Sequence, residues 1–322
     1  MHLSRLLAAL WCVLFLYVTA PLHGQNAGCT ERTFIANVFD HGVLPISLTK
    51  ENFQITYRGQ KLAPHFVSYS EGPRRVMVLL DMSGSMKTPQ GNAAKWRVAK
   101  LAAWDVLTAL TPGSKIGLLT FATNVLTRVP LSSNRDAVAD WLNGEKAQNV
   151  DLLKGRTALY DAIESALDQM RSYEPGDAIF VITDGGENAS EVRRSKLQNA
   201  LRESGVRLFT LMVPTDMYTA PVELDGRKNL AALSNDSGGI ALDTEHGWGM
   251  FDDRLKQELR VHITRLSLQI SSFYALAVDL PEDPQKTKRW EVTLLEAGKR
   301  NKDAWVGYPH HIPPCQLHVA QK

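Results

Sequence analysis

Three side chains that carry oxygen ligands, Asp81, Ser83 and Ser85, stand at alternate positions directly after the apolar run 76–80. The run is short and continuously apolar, which predicts a buried strand. Side chains at alternate positions after a strand can converge on one point. Carboxylate and hydroxyl oxygens are hard ligands that suit Mg²⁺ or Mn²⁺, with Ca²⁺ as a further candidate. The segment therefore predicts a divalent-cation site where this strand ends.

Two later segments carry the remaining oxygen ligands that such a site needs. Thr157 lies in the segment 155–161, and Asp184 follows the apolar run 178–183, which predicts a second buried strand. Each of these features also has a local alternative, because serine and threonine hydroxyls cap helices and Asp-Gly pairs form turns. Local structure alone explains poorly why oxygen ligands recur at strand ends, so we predict one metal site built from all three segments.

The three segments, taken in this order, resemble the von Willebrand factor type A family. Asp81, Ser83 and Ser85 match its Asp-x-Ser-x-Ser loop, Thr157 matches the threonine of its second loop, and Asp184 matches the aspartate of its third loop. The resemblance implies a metal-ion-dependent adhesion site (MIDAS). In such a site the two serines bind the ion directly, and the threonine and second aspartate exchange direct and water-mediated contact. The first aspartate binds through water or orients the serines.

One position departs from the family pattern. Arg156 stands where the family usually has a small residue, often glycine. A guanidinium at this place either weakens cation binding or helps to hold an acidic partner.

Apolar strands alternate with amphipathic helices from Val76 onward, which predicts an α/β fold with a doubly wound, mostly parallel, Rossmann-like sheet. Ligands of such sheets bind beyond the carboxyl ends of the strands, where the strand order reverses, and both aspartates are predicted at carboxyl ends. We predict strands over 76–81, 116–121, 125–129, 178–183, 206–213 and 240–243, and helices over 95–110, 134–142, 159–172, 191–203, 230–234 and 251–269.

The segments on either side of this core also read as strands, with too few on each side to make a stable sheet alone. We predict strands over 33–39, 52–57 and 62–69 before the core, and over 272–280 and 289–295 after it. We expect the two groups to pair into one small β-sandwich. The segment 48–53 and Tyr274-Ala275-Leu276 also resemble parts of bacterial exported VWFA-related proteins described from acidobacteria. The expected organisation is a signal peptide at 1–24, an N-terminal β segment at 25–72, the type A domain at 73–270 and a C-terminal β segment at 271–322.

The N-terminus predicts export. A short basic start precedes the apolar run 6–20, whose length fits the hydrophobic region of a secretory signal peptide, with an uncleaved anchor as the alternative. We therefore expect a periplasmic, envelope-associated or secreted protein. Cys29 and Cys315 are the two cysteines of the mature chain, and they either form one disulfide or are two unrelated thiols.

Composition narrows the functional classes. The net charge is only +2 and no basic run interleaves with aromatic residues, so nucleic acid is a poor candidate partner. No Gly-x-Ser-x-Gly or His-Glu-x-x-His motif is present, and no histidine lies in the three loops to act as a general base.

The favoured interpretation is a non-enzymatic, cation-dependent adhesion module that captures a carboxylate of a protein partner, with no small-molecule substrate. The alternatives are a metal-dependent hydrolase and a scaffold whose metal is structural. Glu187, beside the third loop, is a candidate ligand of a second ion or a solvated surface residue.

Overall fold

The computed structural model describes residues 30–87, 93–213, 221–243 and 253–315. The strands are β1 Glu31–Asp40, β2 Phe53–Tyr57, β3 Gln60–Leu62, β4 Phe66–Glu71, β5 Arg75–Asp81, β6 Lys115–Phe121, β7 Val125–Ser132, β8 Ala178–Thr183, β9 Arg207–Met212, β10 Ala241–Asp243, β11 Ser272–Asp279, β12 Lys288–Glu296, β13 Lys299–Arg300, β14 Ala304–Gly307 and β15 His311–Ile312. The helices are α1 Ala94–Ala109, α2 Arg135–Asn143, α3 Glu145–Gln148, α4 Leu159–Gln169, α5 Arg194–Ser204, α6 Pro221–Asp236 and α7 Asp253–Ser271.

A six-stranded sheet in the order β10-β9-β8-β5-β6-β7 forms the centre of the molecule, and the predicted doubly wound α/β fold is confirmed. All neighbours are parallel except the β6–β7 hairpin, which is antiparallel. The chain leaves β5 for β6 on one side and later adds β8 on the other side. The strand order therefore reverses at β5, which is the position where sheets of this kind bind ligands.

Helices cover both faces of this sheet because the strands are apolar on both sides. On one face α1 and α7 pack against the sheet, and α1 contributes the predicted stripe that includes Trp96, Ala99 and Val106. On the other face α4 and α5 pack, with Ile163 and Leu197 fully buried. The two cores fix the orientation of every strand that ends near the predicted metal site.

Strands from both ends of the chain form two further antiparallel sheets, in the orders β14-β1-β11-β4 and β13-β12-β2-β3. Each sheet contains strands from before and after the central domain, as expected. The inner faces share one core, in which the rings of Phe34 and Trp290 meet edge to face with centroids 4.4 Å apart. Because this core draws on both sheets, the flanking strands make a β-sandwich.

A buried arginine joins the sandwich to the central sheet. Arg207, at the start of β9, donates to Asn37 of β1 at 2.9 Å and to the carbonyls of Gly176, Gln269 and Ile270 at 2.8–3.0 Å. Burial lowers the pKa of this guanidinium to about 9. These hydrogen bonds hold the last turn of α7 against both parts of the molecule.

Several predicted elements differ in extent from the structure: α4 ends three residues before its predicted end, and β7 continues three residues beyond its predicted end. The predicted strand 62–69 is two strands, because Pro64 has no N–H for a ladder and the chain crosses there from one sheet of the sandwich to the other. The short helix predicted at 230–234 is the sixteen-residue α6. The helix predicted from Glu191 begins at Arg194, since the preceding residues form a turn whose N–H groups bond to Asp161.

The predicted leader 1–24 and Cys29 lie outside the described residues. Cys315 is disulfide-bonded, and its pairing with Cys29, one of the two alternatives from the sequence, stays a prediction. Within the four described ranges, every helix is too short or too polar to cross a lipid bilayer.

Candidate metal site

Asp81 stands at the carboxyl end of β5, where its side chain is completely buried. One carboxylate oxygen, Oδ1, accepts the backbone N–H of Ser83 at 2.8 Å. The other oxygen, Oδ2, accepts the hydroxyl of Thr183 at 2.6 Å, and Thr183 is the last residue of β8. Asp81 therefore connects the first and third predicted loops through one carboxylate.

The two serines present their hydroxyls close together. The Ser83 and Ser85 Oγ atoms are 3.0 Å apart; Ser83 is buried and Ser85 is half-buried, on the solvent side. Ser83 begins the 3-10 turn Gly84–Met86, yet among the described residues its side chain does not cap that turn. The capping alternative for Ser83 is thus not observed, and both hydroxyls point to a common place at the end of β5.

Backbone hydrogen bonds attach the second loop to the first. The N–H of Gly84 donates to the Gly155 carbonyl, and the N–H of Lys154 donates to the Met82 carbonyl, both at 3.1 Å. These two bonds hold Thr157, two residues further on, beside the serine loop.

Thr157 is also attached to the third loop. It is 3% exposed, its N–H donates to the Asn188 side chain at 2.9 Å, and its carbonyl accepts the Asn188 and Ala189 N–H groups. The N-cap residue of α4 is Ala158, so Thr157 is not the cap of that helix. The structure therefore brings the three loops together at one edge of the sheet.

Asp184 is completely buried and lies beside a cation of the protein itself. Its Oδ2 accepts from the ammonium of Lys95 at 2.9 Å, and Lys95, on α1, is only 5% exposed. The sequence interpretation did not include Lys95. The available signal was helical spacing, because Lys95 lies on the same face as the buried residues Ala99 and Ala102.

Helix α6 supports the third loop from behind. The Arg227 guanidinium donates to the carbonyls of Asp184 and Val213 at 3.0 Å, and it forms an ion pair with Asp243. Gly226 approaches so closely that a Cβ atom there would lie 1.7 Å from the Gly185 carbonyl oxygen. Only glycine allows this contact, so the position of the loop depends on α6.

The electrostatics of the site favour a cation. Burial, and then the nearby Asp184 carboxylate, raise the pKa of Asp81 to about 7. Two buried carboxylates with one ammonium beside them would gain from a further positive charge. Two hydroxyls, a threonine and two carboxylates, all oxygen ligands, match the preference of Mg²⁺, Mn²⁺ and Ca²⁺. The residues present therefore fit a divalent cation.

Two neighbouring residues have roles that the sequence did not predict. Arg156 is exposed at the rim, and its backbone N–H donates to the Thr123 hydroxyl at 2.9 Å. Glu187 accepts from the Tyr160 N–H at 2.9 Å and from the N–H and hydroxyl of Ser190. Glu187 therefore caps the start of α4. This role differs from both alternatives that the sequence suggested, a ligand of a second ion and a solvated surface residue.

Within the described part of the chain, no group of three His, Cys, Asp or Glu side chains is arranged to hold a metal ion, so the candidate site depends on its hydroxyls beside two carboxylates. His311, near the C-terminus, forms a hydrogen bond with Asp236 of α6. The oxygen-rich site at the end of β5 is thus the candidate cation site, because both its position in the fold and its side chains suit a cation.

The chain thus has an α/β fold whose doubly wound sheet carries clustered hydroxyls and carboxylates at its switch point. Residues 76–187 match the family model of the von Willebrand factor type A domain. The expected resemblance to the von Willebrand factor type A family is confirmed over these residues, which include all three predicted loops. Domains of this family are typically interaction modules and commonly bind a divalent metal at the MIDAS.

Among curated proteins, the chain is similar to a "UPF0353 protein" of Mycolicibacterium paratuberculosis, with 27% identity over 174 residues. The match covers 50% of this chain and 50% of that protein, so the chain spans about half the length of the relative it matches.

Similar solved structures share little sequence with this chain. The conserved hypothetical protein BatB of Bacteroides thetaiotaomicron has 19% identity and a TM-score of 0.45, covering 61% of this chain and 99% of that one. A von Willebrand factor type A protein of Catenulispora acidiphila has 12% identity and a TM-score of 0.45, covering 90% and 74%. Proximal thread matrix protein 1 from the mussel byssus, with a zinc-occupied MIDAS motif, has 15% identity and a TM-score of 0.46, covering 62% and 48%. Similarity at this level carries no inference about what this chain binds.

Proposed function

We propose that this protein is an exported, non-enzymatic binding module that captures a carboxylate of a partner protein through a divalent cation, Mg²⁺ by preference. The observation that carries the proposal is the convergence of the three loops. The Ser83 and Ser85 hydroxyls lie 3.0 Å apart beside the buried Asp81, and backbone hydrogen bonds attach the Thr157 loop to the same place.

Ser83, Ser85, Thr157, Asp81 and Asp184 would hold the cation, which when bound supplies an electrophilic position for a carboxylate oxygen. The protein's own part is to keep these oxygens in place. Asp81 orients Ser83 through its N–H, and Thr183 fixes the second Asp81 oxygen. Ser85 lies on the half-exposed side, so a partner can approach from solvent on that side.

Adhesion is favoured over hydrolysis by the side chains around the site. The three loops offer hydroxyls and carboxylates, the buried Lys95 ammonium of α1 lies beside them, and the loops contain no histidine. Both carboxylates are already bonded, Asp81 to Ser83 and Thr183, and Asp184 to Lys95. Neither is in a position to work as a general base at a substrate.

Peptide selection tests the proposal. A phage-displayed library of random linear peptides is selected on the immobilised full chain in Mg²⁺ and eluted with EDTA. We expect the eluted peptides to contain Asp or Glu and to lose binding when that residue becomes Asn or Gln. We also expect no binding to the Ser83→Ala/Ser85→Ala variant and normal binding to Ser195→Ala, which changes an exposed serine of α5.

Two results would contradict the proposal. One is the absence of peptides that elute with EDTA and depend on a carboxylate. The other is peptide binding that survives both chelation and the double serine variant, which would indicate a structural metal and a binding surface elsewhere.

A further inference from the structure

A groove lies directly beside the candidate metal site. The β6–β7 hairpin forms one wall, and the loop that leads to Thr157 forms the other. The groove has a volume of about 470 Å³. That size accommodates one or two large side chains, at the lower end of the range for ligand pockets. Its lining includes Met82, which lies between Asp81 and Ser83, and Gly155, which lies two residues before Thr157.

Backbone hydrogen bonds make the groove and the metal loops one rigid unit. The Met82 N–H donates to the Phe121 carbonyl at 2.7 Å, and the Ala158 N–H donates to the Ala122 carbonyl at 2.8 Å. Met82 belongs to the serine loop and Ala158 follows Thr157, whereas Phe121 and Ala122 belong to the hairpin. A ligand held at the serines is therefore at a fixed distance from the groove.

The surface of the groove is mainly apolar. Two large aliphatic side chains line it while remaining open to solvent, Leu126 at 48% and Leu152 at 36% exposure. Ala122 adds further apolar surface beside the buried Phe121. Exposed leucines on opposite walls of a concave surface are typical of sites that accept an apolar side chain.

The charged side chains that line the groove are positive. They are Arg128 and Lys154, and none of the described residues in the lining is acidic. The Arg128 guanidinium is held in place by the Thr120 hydroxyl at 2.7 Å and lies 5.7 Å from the centre of the Trp141 ring. Lys154 is exposed, and so is Arg156 on the same loop. An acidic ligand would therefore be attracted to this side of the site.

We propose that this groove, with the metal site, binds an extended acidic peptide segment of the partner. One Asp or Glu of the peptide is held at the metal site, an adjacent large aliphatic side chain fills the groove between Leu126 and Leu152, and a second carboxylate pairs with Lys154 or Arg128. This inference rests on the proposed function and adds the class of ligand. In this proposal the β6–β7 hairpin determines which carboxylate-bearing partners the protein binds.

The peptides selected in Mg²⁺ and eluted with EDTA supply the probes. We expect a Leu, Ile, Met or Phe next to the essential Asp or Glu, and we expect its replacement by Ala to weaken binding about tenfold, since most of a large apolar side chain would leave water. The Leu126→Ser/Leu152→Ser variant should bind the parent peptide about tenfold more weakly and the Ala peptide unchanged. Leu268→Ser, at an exposed leucine of α7, is the matched control and should bind both peptides normally.

A second pair of variants tests the charge. Lys154→Glu should weaken binding, and the loss should be greatest at low salt, because surface attraction is screened by ions. Lys115→Glu removes an exposed lysine at the opposite end of β6 and should have little effect.

The outcomes separate this inference from the proposed function. The groove proposal would be overturned, and the proposed function would stand, if the carboxylate-dependent peptides that elute with EDTA have no apolar residue next to the essential Asp or Glu. The same holds if these peptides bind the Leu126→Ser/Leu152→Ser variant normally. The absence of any such peptide would overturn both. If the purified chain is a dimer that the same double variant makes monomeric, the groove holds a second copy of the chain and the peptide proposal is wrong.

Discussion

At the residue scale, the candidate site combines oxygen side chains at the ends of strands with a buried ion pair between Lys95 and Asp184. Asp81, Ser83 and Ser85 are recognisable because their spacing is local and follows an apolar strand. Helical spacing places Lys95 on the buried face of α1, but it does not predict the partner of Lys95, because Asp184 is 89 residues away in the chain. A lysine within an amphipathic helix is most often solvated, so its burial could not be expected from its type.

The first prediction concerns the Lys95–Asp184 ion pair. Lys95→Met removes a positive charge 2.9 Å from a proposed metal ligand, so we expect Mg²⁺ to bind about tenfold more tightly. We expect the cation-free protein to lose about 3–5 kcal/mol of stability, because a buried carboxylate is left without this partner. Calorimetric titration with Mg²⁺ and urea unfolding in EDTA measure the two effects.

Lys100→Met is the control for this variant, because Lys100 lies on the same helix and bonds to Gln148 instead. Weaker Mg²⁺ binding by Lys95→Met than by Lys100→Met would show that the ammonium supports the site and does not compete with the ion.

The second prediction concerns pH. In the cation-free protein the pKa of Asp81 is raised to about 7, so between about pH 4 and pH 7 the folded state binds more protons than the unfolded state. Stability in EDTA should therefore fall as pH rises through this window. Asp81→Asn cannot titrate there and should show a smaller fall, measured by urea unfolding at a series of pH values. Equal slopes for the two proteins would mean that Asp81 is ionised throughout.

At the scale of elements, the strands and helices of the central domain could be predicted because their hydrophobic spacing is regular. The failures have local causes. Pro64 divides a predicted strand between two sheets, which the alternation of residues on either side does not reveal. Helix α6 was predicted too short because Gly226 and its polar neighbours weaken the helical pattern. The same glycine is required by the contact between α6 and the third loop.

The third prediction tests this contact. In an ordinary helix Gly→Ala stabilises by about 1 kcal/mol. In Gly226→Ala the new methyl group would collide with the Gly185 carbonyl, so we expect a loss of about 1–3 kcal/mol and weaker Mg²⁺ binding. Lys228→Ala changes an exposed residue of the same helix and should be nearly neutral. Stabilisation by Gly226→Ala would show that α6 does not support the loop.

At the scale of the whole molecule, the two ends of the chain complete one structure around the central domain. Strand β11 pairs with β1 and β4, and β12 pairs with β2, so neither end can form its sheets alone. This pairing could be expected from the small number of strands on each side. The contacts of Arg207 with Asn37 and with the end of α7 could not be expected from the sequence, because a lone arginine in a strand gives no signal of its partners.

The fourth prediction follows from the shared core of the sandwich. Trp290→Ala should destabilise the protein by about 3–5 kcal/mol, because it removes a large side chain that packs on Phe34. Hydrogen exchange should increase together in β1 and β12, although they are more than 240 residues apart. Trp305→Ala, at a half-exposed tryptophan of the same region, is the milder control. Faster exchange confined to β12 would mean that the two ends fold independently.

The central claim is that three loops make one cation site, and a titration with Mn²⁺ monitored by electron paramagnetic resonance tests it most directly. We expect the full chain to bind one ion that Mg²⁺ displaces. The Ser83→Ala/Ser85→Ala variant should bind at least about 100-fold more weakly while keeping its fold. The account is contradicted if the unaltered chain binds no ion, or if the double variant binds Mn²⁺ as tightly as the unaltered chain.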